Sequence, residues 1–287
     1  MSNATIAAVP EDLVRGITQL EPLPATAQLL FDSMNGKDVA MSKIIELIQF
    51  DQAVAAAVLR QASTVRYATQ VQPTVREAVL RLGTVGLFNL VLEGYLTRLR
   101  VAAPMYDLSE HDLWLHGAAA QLAVRALRIE RPGAGIPELA ETAALMHDIG
   151  KLIVARYLKA DVRDLVTYAR ERSMTFVEVE HEFFGTDHAA VGGAIAEHWK
   201  FPPSIVDAIR RHHSPSFGTS TLMLDTVVMA NVVAKTIQAG LGAEGLNFVI
   251  DPGNFRRLGL NFNRFCRVCL RTEEWLRELM SGTRMAT

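Results

Sequence analysis

Residues 185–213 read GTDHAAVGGAIAEHWKFPPSIVDAIRRHH, and this stretch decides the fold. Its apolar side chains recur at helical spacing on both sides of Lys200-Phe201-Pro202, which predicts helices over Asp187 to Trp199 and Pro203 to His212. His188 stands near the start of the first, and His212-His213 at the end of the second. The same periodicity extends outward, to Asp161–Ser173 and Thr175–Phe184 before it and to Thr221–Ala239 after it. Further upstream, Ser109 is a candidate N-cap for an apolar-periodic run through Leu127, and Arg131-Pro132-Gly133 breaks the pattern. Glu138 to Tyr157 then reads as one helix carrying His147-Asp148, with Gly150 lowering helix propensity just after the pair. No alternating strand pattern competes, so the expected class is all-α.

The first hundred residues follow the same rule. A short amphipathic stretch around Leu13 to Leu20 is followed by Pro22 and Pro24, whose rings impose an extended segment. Helical spacing resumes over Ala25–Asn35, Met41–Asp51, Ala53–Ala62 and Thr74–Leu82, with short connections that favour antiparallel neighbours. Near the C-terminus, Gly240, Gly242, Gly245, Pro252 and Gly253 punctuate a loop before a final amphipathic helix from about Asn263 to Met280. This organisation divides the chain into an N-terminal segment (1–19), an N-terminal helical lobe (20–108), a second helical lobe (109–240) and a C-terminal loop and helix packing on the core (241–287).

Composition narrows the function. At 287 residues, with 49% hydrophobic and 21% charged side chains, the chain can bury a sizeable core. A formal charge of -2 argues against a broad basic face for nucleic acid, and Arg60, Arg66, Arg76 and Arg81 read as a solvated helix face. Cys266 and Cys269 lie on a predicted helix away from other ligand types, which fits neither a zinc finger nor a disulfide framework. The apolar stretches are too short or interrupted to span a bilayer and no leader pattern opens the chain, so a cytoplasmic protein without a membrane association is expected.

The chemistry resides in His116, His147, Asp148, His188, His212 and His213. Imidazole and carboxylate together suit iron, manganese, zinc or nickel, and facing helices of an all-α core can present such ligands inward. Taken singly, each histidine on an amphipathic helix reads as a surface or packing residue, and His111, His181 and His198 are assigned that way. The order of the whole set says more. His116, then Met146-His147-Asp148-Ile149-Gly150-Lys151, then His188 and His212-His213, resembles the HD phosphohydrolase superfamily. The 185–213 stretch, with its glycine, histidine, tryptophan, proline and paired histidines, resembles the HDOD branch. So do Leu23-Pro24, Ile48-Gln49-Phe50-Asp51, Val58-Leu59-Arg60-Gln61-Ala62-Ser63 and Ala78-Val79-Leu80-Arg81-Leu82-Gly83. Gln52 stands where that family usually has proline, and Thr64 falls within its asparagine-serine region.

The resemblance implies a multi-helix HDOD fold, with an N-terminal helical lobe packed on an HD-type helical lobe. It implies a first metal site of His116, His147 and Asp148, and a second of His188, His212 and His213. Lys151, together with Asp148 a candidate catalytic residue, matches a lysine whose charge contacts a phosphate oxygen in HD-GYP relatives. Two departures weaken catalysis. Asn231 falls where the family's closing aspartate stands, and Ser214-Pro215-Ser216-Phe217 replaces the glycine-tyrosine-proline segment of HD-GYP enzymes. The expectation is therefore a bacterial signal-transduction module that binds a regulatory protein partner, or a phosphate-containing or nucleotide ligand, with a divalent metal retained. The alternative is a metal-dependent phosphohydrolase or cyclic-nucleotide phosphodiesterase.

Overall fold

The structure, a computed structural model, describes residues 9–63, 73–99, 102–158, 160–214, 219–245 and 251–281. The expectations on Thr64, Arg66 and Pro215-Ser216-Phe217 lie outside these. Among the described residues there are helices and no strands, only an isolated bridge between Ala103 and Leu108. The class is all-α, as the periodicity predicted.

The helices are α1 (Glu11–Thr18), α2 (Ala25–Met34), α3 (Met41–Phe50), α4 (Gln52–Ala62), α5 (Val75–Arg98), α6 (Asp112–Glu130), α7 (Ala140–Met146) and α8 (Gly150–Tyr157). They continue as α9 (Val162–Arg172), α10 (Phe176–Phe184), α11 (His188–His198), α12 (Pro203–Arg211), α13 (Leu222–Thr236), α14 (Pro252–Arg257) and α15 (Phe262–Ser281). The chain forms two compact units, one of residues 1–20 with 100–274 and the other of residues 21–99 with 275–287.

The smaller unit is closed by apolar burial. α5 packs against α2, α3 and α4, and Leu30, Ile44, Ile48, Leu87, Phe88 and Leu92 are wholly buried between them. The Phe31 and Phe88 rings meet with centroids 5.9 Å apart. Tyr95 buries its ring while its hydroxyl donates to the Glu21 carbonyl at 2.6 Å, so the polar tip is satisfied. Local signals start these helices: Asp51 accepts from the backbone of Ala53 and Val54 at the head of α4, and Thr74 with Glu77 forms a reciprocal capping box at the head of α5.

α5 runs well past Leu82, where the sequence pattern stops. Gly83 breaks it with φ 68° and ψ 172°, a conformation that glycine takes without penalty, and the chain then resumes as helix to Arg98. The break resets the phase of the apolar stripe, which hides the second part from a search at one fixed period. Among the described residues α5 alone is long and apolar enough to cross a membrane by length and composition. Its contacts with α2, α3 and α4 make it the central helix of this unit.

The larger unit is built from close helix approaches. α6 lies against α7 and α13, and α11 against α8 and α12. Ala118, Ala119, Ala120, Ala140, Ala143 and Ala144 are buried at these contacts, where small side chains let backbones come near. The tightest contact is at Gly150: a Cβ added there would lie 1.9 Å from the His188 carbonyl oxygen and 2.6 Å from the Gly192 nitrogen. Only glycine fits, so α8 and α11 touch backbone to backbone. Buried Asp225 of α13 accepts from Arg257 and Asn254 of α14. α14 forms where the glycine and proline content reads as loop, because Asp251 caps it and Pro252 occupies its first turn. α6 begins at Asp112 rather than at the Ser109 cap, and Asp112 instead reaches back to accept from the Ser109 N–H.

Candidate metal centre

His147 and Asp148 do not lie within one helix. The stretch expected as continuous from Glu138 to Tyr157 is α7 and α8, separated by a turn over residues 147–149. Short i to i+3 bonds hold that turn, from Ile149 N to Met146 O at 2.9 Å and from Lys151 N to Asp148 O at 3.0 Å. The turn lets α8 set off toward α11, and the Gly150 contact fixes it there. Both His147 and Asp148 are buried as a result.

The other residues arrive from four elements. His116 comes from the middle of α6 and Asn231 from α13. His188 is the first residue of α11, whose N-cap Asp187 accepts from Ala190 N at 2.6 Å. His212 and His213 follow the last turn of α12. His181, assigned to surface or packing, pairs with Asp187 at 2.6 Å and so braces that cap.

Each of four imidazoles is held from behind at Nδ1. His116 donates to the Ala239 carbonyl at 2.8 Å, His147 to Ala144 at 2.7 Å and His212 to Ile209 at 2.7 Å. A carbonyl oxygen can only accept, so Nδ1 carries the proton and the Nε2 lone pair faces inward. His188 Nδ1 is held by the Glu180 carboxylate at 2.7 Å, and the same carboxylate accepts from the His188 backbone N–H. Glu180 is fully buried and its other oxygen accepts from the Tyr106 hydroxyl. This is the arrangement by which metal-ligating histidines are oriented in proteins, each tautomer fixed by an outer partner.

All four Nε2 atoms face Asp148. His147, His188 and His212 lie 3.4, 3.3 and 3.4 Å from its Oδ1, and His116 lies 3.6 Å from its Oδ2. His213 is half-buried, and its Nε2 is 3.1 Å from that of His188. Two overlapping groups therefore share Asp148: one with His116 and His147, the other with His188, His212 and His213. Lys151 is buried too, with its ammonium 2.6 Å from Asp148 Oδ2 and 5.5 Å from the Tyr106 ring centroid. Asn231 places its side-chain amide 3.1 Å from His116 Nε2.

The electrostatics follow from this burial. Desolvation pushes His147 well below the ordinary imidazole range and lowers His116 as well. For Asp148 burial acts in the raising direction, but the Lys151 ammonium 2.6 Å from its Oδ2 holds it well below the usual carboxylate range. The site therefore presents an ionised carboxylate with neutral imidazoles at His116 and His147.

The residues fit a divalent metal. Asp148 Oδ1, His147 Nε2 and His212 Nε2 are buried and have no hydrogen-bond partner, and such orphaned atoms cost about 1–3 kcal/mol each unless something satisfies them. Nitrogen and carboxylate oxygen with no thiolate suit iron, manganese, zinc or nickel. Glu180 and Tyr106 escaped the sequence pattern. The available signal for Glu180 was an acidic residue four positions after Phe176, on the apolar face of α10; Tyr106 carried no signal at all.

Comparison with known proteins places this architecture. The chain aligns over 93% of its length with the crystal structure of an HDOD domain protein of unknown function from Geobacter sulfurreducens, covering 97% of that chain at 25% identity and a TM-score of 0.70. A proposed signal-transduction protein from Marinobacter aquaeolei VT8 aligns at 21% identity and TM-score 0.68, over 98% of this chain and 63% of that one. A proposed phosphohydrolase from Shewanella amazonensis SB2B aligns at 24% identity and TM-score 0.60, over 91% of this chain and 98% of that one. An uncharacterized protein of Treponema pallidum (strain Nichols) is 23% identical over 224 residues, which span 76% of this chain and 43% of the relative's length. The HDOD domain profile matches residues 20–215. The chain belongs to the HDOD family, a branch related to the HD-type phosphohydrolases.

Proposed function

We propose that this chain is a signal-transduction module of the HDOD kind that retains a divalent metal and acts by binding a regulatory protein partner or ligand rather than by turnover. The observation that carries the metal is the buried Asp148 Oδ1, which has no donor of its own and faces three imidazole nitrogens. His116, His147, Asp148, His188, His212 and His213 are the residues that would hold it. When bound, such a metal supplies Lewis acidity. The chain's own residues then orient and confine it: Ala239, Ala144, Ile209 and Glu180 fix the imidazoles, and Gly150 keeps the two sides of the cluster together.

Two features favour binding over catalysis. The Lys151 ammonium is turned onto Asp148, where it neutralises the carboxylate instead of offering charge to a phosphate. Asn231 brings a neutral amide, a poorer hard-metal ligand than a carboxylate. The alternative, a metal-dependent phosphohydrolase or cyclic-nucleotide phosphodiesterase, draws support from half-buried His213, which leaves the second group less enclosed than the first.

Metal analysis of the purified chain, together with a phosphodiester hydrolysis screen in manganese or iron, separates the two. The proposal expects bound metal and no turnover that the His147→Ala/Asp148→Ala variant removes. Turnover lost in that variant would establish the phosphohydrolase, and absence of any bound metal would overturn the metal reading.

A further inference from the structure

The two oxygens of Asp148 have unlike surroundings, and the difference bears on how many ions the cluster takes. Oδ1 has no hydrogen-bond partner, and His147, His188 and His212 surround it at 3.3–3.4 Å. His213 closes that side through His188. Oδ2 accepts from the Lys151 ammonium at 2.6 Å. The imidazole beside it, His116, is engaged by the Asn231 amide; since the amide's oxygen and nitrogen exchange on a half-turn, its NH2 can donate to the Nε2 lone pair. A cation on the Oδ2 side would meet a fixed positive charge a few ångströms away, in a buried site where charge interactions are strong, and would find an amide where a carboxylate would help it. A cation on the Oδ1 side meets Asp148 Oδ1 and His212 Nε2, which have no hydrogen-bond partner, with the Glu180 carboxylate behind the His188 imidazole.

We infer that the cluster takes one divalent cation, on the Oδ1 side of Asp148 with His188, His212 and His213, and that the Lys151 ammonium holds the place of a second ion on the Oδ2 side. This rests on the metal reading above and sharpens it. The HD-type resemblance implies two metal sites, and in this chain one is filled by its own lysine. A mononuclear site also lacks the pair of ions that clamps the attacking and leaving oxygens in two-metal phosphodiester hydrolysis.

The test is titration of the metal-free full-length chain with Co2+, following the visible ligand-field bands and the heat of binding, with circular dichroism and thermal melts of each variant as the check on folding. One equivalent is expected in the unaltered chain. His188→Gln and His213→Gln should each weaken binding at least about 10-fold, the lower end of what loss of a metal site's supporting groups costs. His116→Gln should weaken binding less than either of these, since His116 faces the other oxygen of Asp148. Lys151→Met combined with Asn231→Asp should admit a second equivalent. Two equivalents in the unaltered chain would overturn the inference while leaving the metal reading intact, whereas none would sink both. Loss of the ion in His116→Gln with retention in His188→Gln would place it on the other side of Asp148 and overturn the inference. A folded double variant still taking one equivalent would overturn the role of Lys151. If the double variant fails to fold, ring-proton NMR of the unaltered chain with and without Zn2+ decides: shifts at His188, His212 and His213 with His116 unmoved are expected, and shifts at His116 would overturn the assignment.

Discussion

The smaller unit and the larger unit are both helical, yet they spend their interiors differently. In the smaller one Leu30, Ile44, Ile48, Leu87, Phe88 and Leu92 fill the space between α2, α3, α4 and α5, and few polar side chains are buried there. In the larger one the helices are lined by alanine and glycine, and their shared interior holds His116, His147, Asp148, Lys151, Glu180 and His188. Burying an ion pair such as Lys151 with Asp148 is often no more stabilising than a well-packed apolar replacement. Departures of this kind from the ordinary rules of a core are expected at functional sites.

Leu87→Ala empties a wholly buried position of the smaller unit and should cost about 4 kcal/mol, near the upper part of the range for such truncations, while leaving Co2+ affinity unchanged. Denaturant unfolding and metal titration measure the two quantities separately. A loss of metal affinity in the folded variant would mean that the apolar interior also sets the cluster's geometry. Gly150→Ala acts in the opposite sense. A methyl group 1.9 Å from the His188 carbonyl forces α8 from α11, an overpacking cost of about 3 kcal/mol, and should take metal binding with it. Retained affinity in a folded Gly150→Ala chain would show that the helix contact does not position His188.

Metal binding should stabilise the chain by an amount set by mass action. At a free metal concentration 100 times the dissociation constant the gain is about 2.7 kcal/mol, reversed by a chelator. Asp148→Ala should abolish that gain, since it removes the carboxylate that both histidine groups share. Scanning calorimetry with and without Zn2+ reads the difference, and an undiminished gain in Asp148→Ala would move the metal elsewhere.

How much of this was legible in the sequence depended on the range over which each signal acts. Helical periodicity is local, so most helices and the all-α class could be read directly, and the order of the histidines pointed to the residues that meet at Asp148. Turns set by distant contacts were not legible. The break at residues 147–149 depends on α11 lying against Gly150, 38 residues before its partner, and nothing near Gly150 states that. Helix beyond Gly83 was hidden by a change of phase, and α14 by its glycine and proline, which here serve a capped first turn. Glu180 was hidden for a third reason: an acidic residue in a helix reads as solvated until the tertiary fold brings an imidazole to it. The sequence could name the ligand types but not the face of Asp148 each would meet, because that is decided by how separate helices pack together.

Local capping contributes less to the smaller unit than its apolar interior does. Thr74 and Glu77 cap α5 reciprocally, with the Thr74 hydroxyl accepting from Glu77 N and the Glu77 carboxylate accepting from Thr74 N. Removing the hydroxyl in Thr74→Ala should cost about 1 kcal/mol, the usual value of an N-cap. The bonds from Thr74 hold the Glu77 carboxyl below its ordinary 4.5. A carboxylate depressed in the folded state stabilises above its unfolded value, and that contribution is lost as pH falls through the folded one. The deficit of Thr74→Ala should accordingly be full at pH 7, begin to shrink as the pH falls past the ordinary carboxyl value, and be smallest once Glu77 is protonated in the folded state as well. Urea unfolding at several pH values checks it. A deficit that does not change with pH would reduce the capping box to its hydroxyl alone, and the start of α5 would then be held by burial of Ala78 and Val79, the same apolar force that closes the rest of this unit.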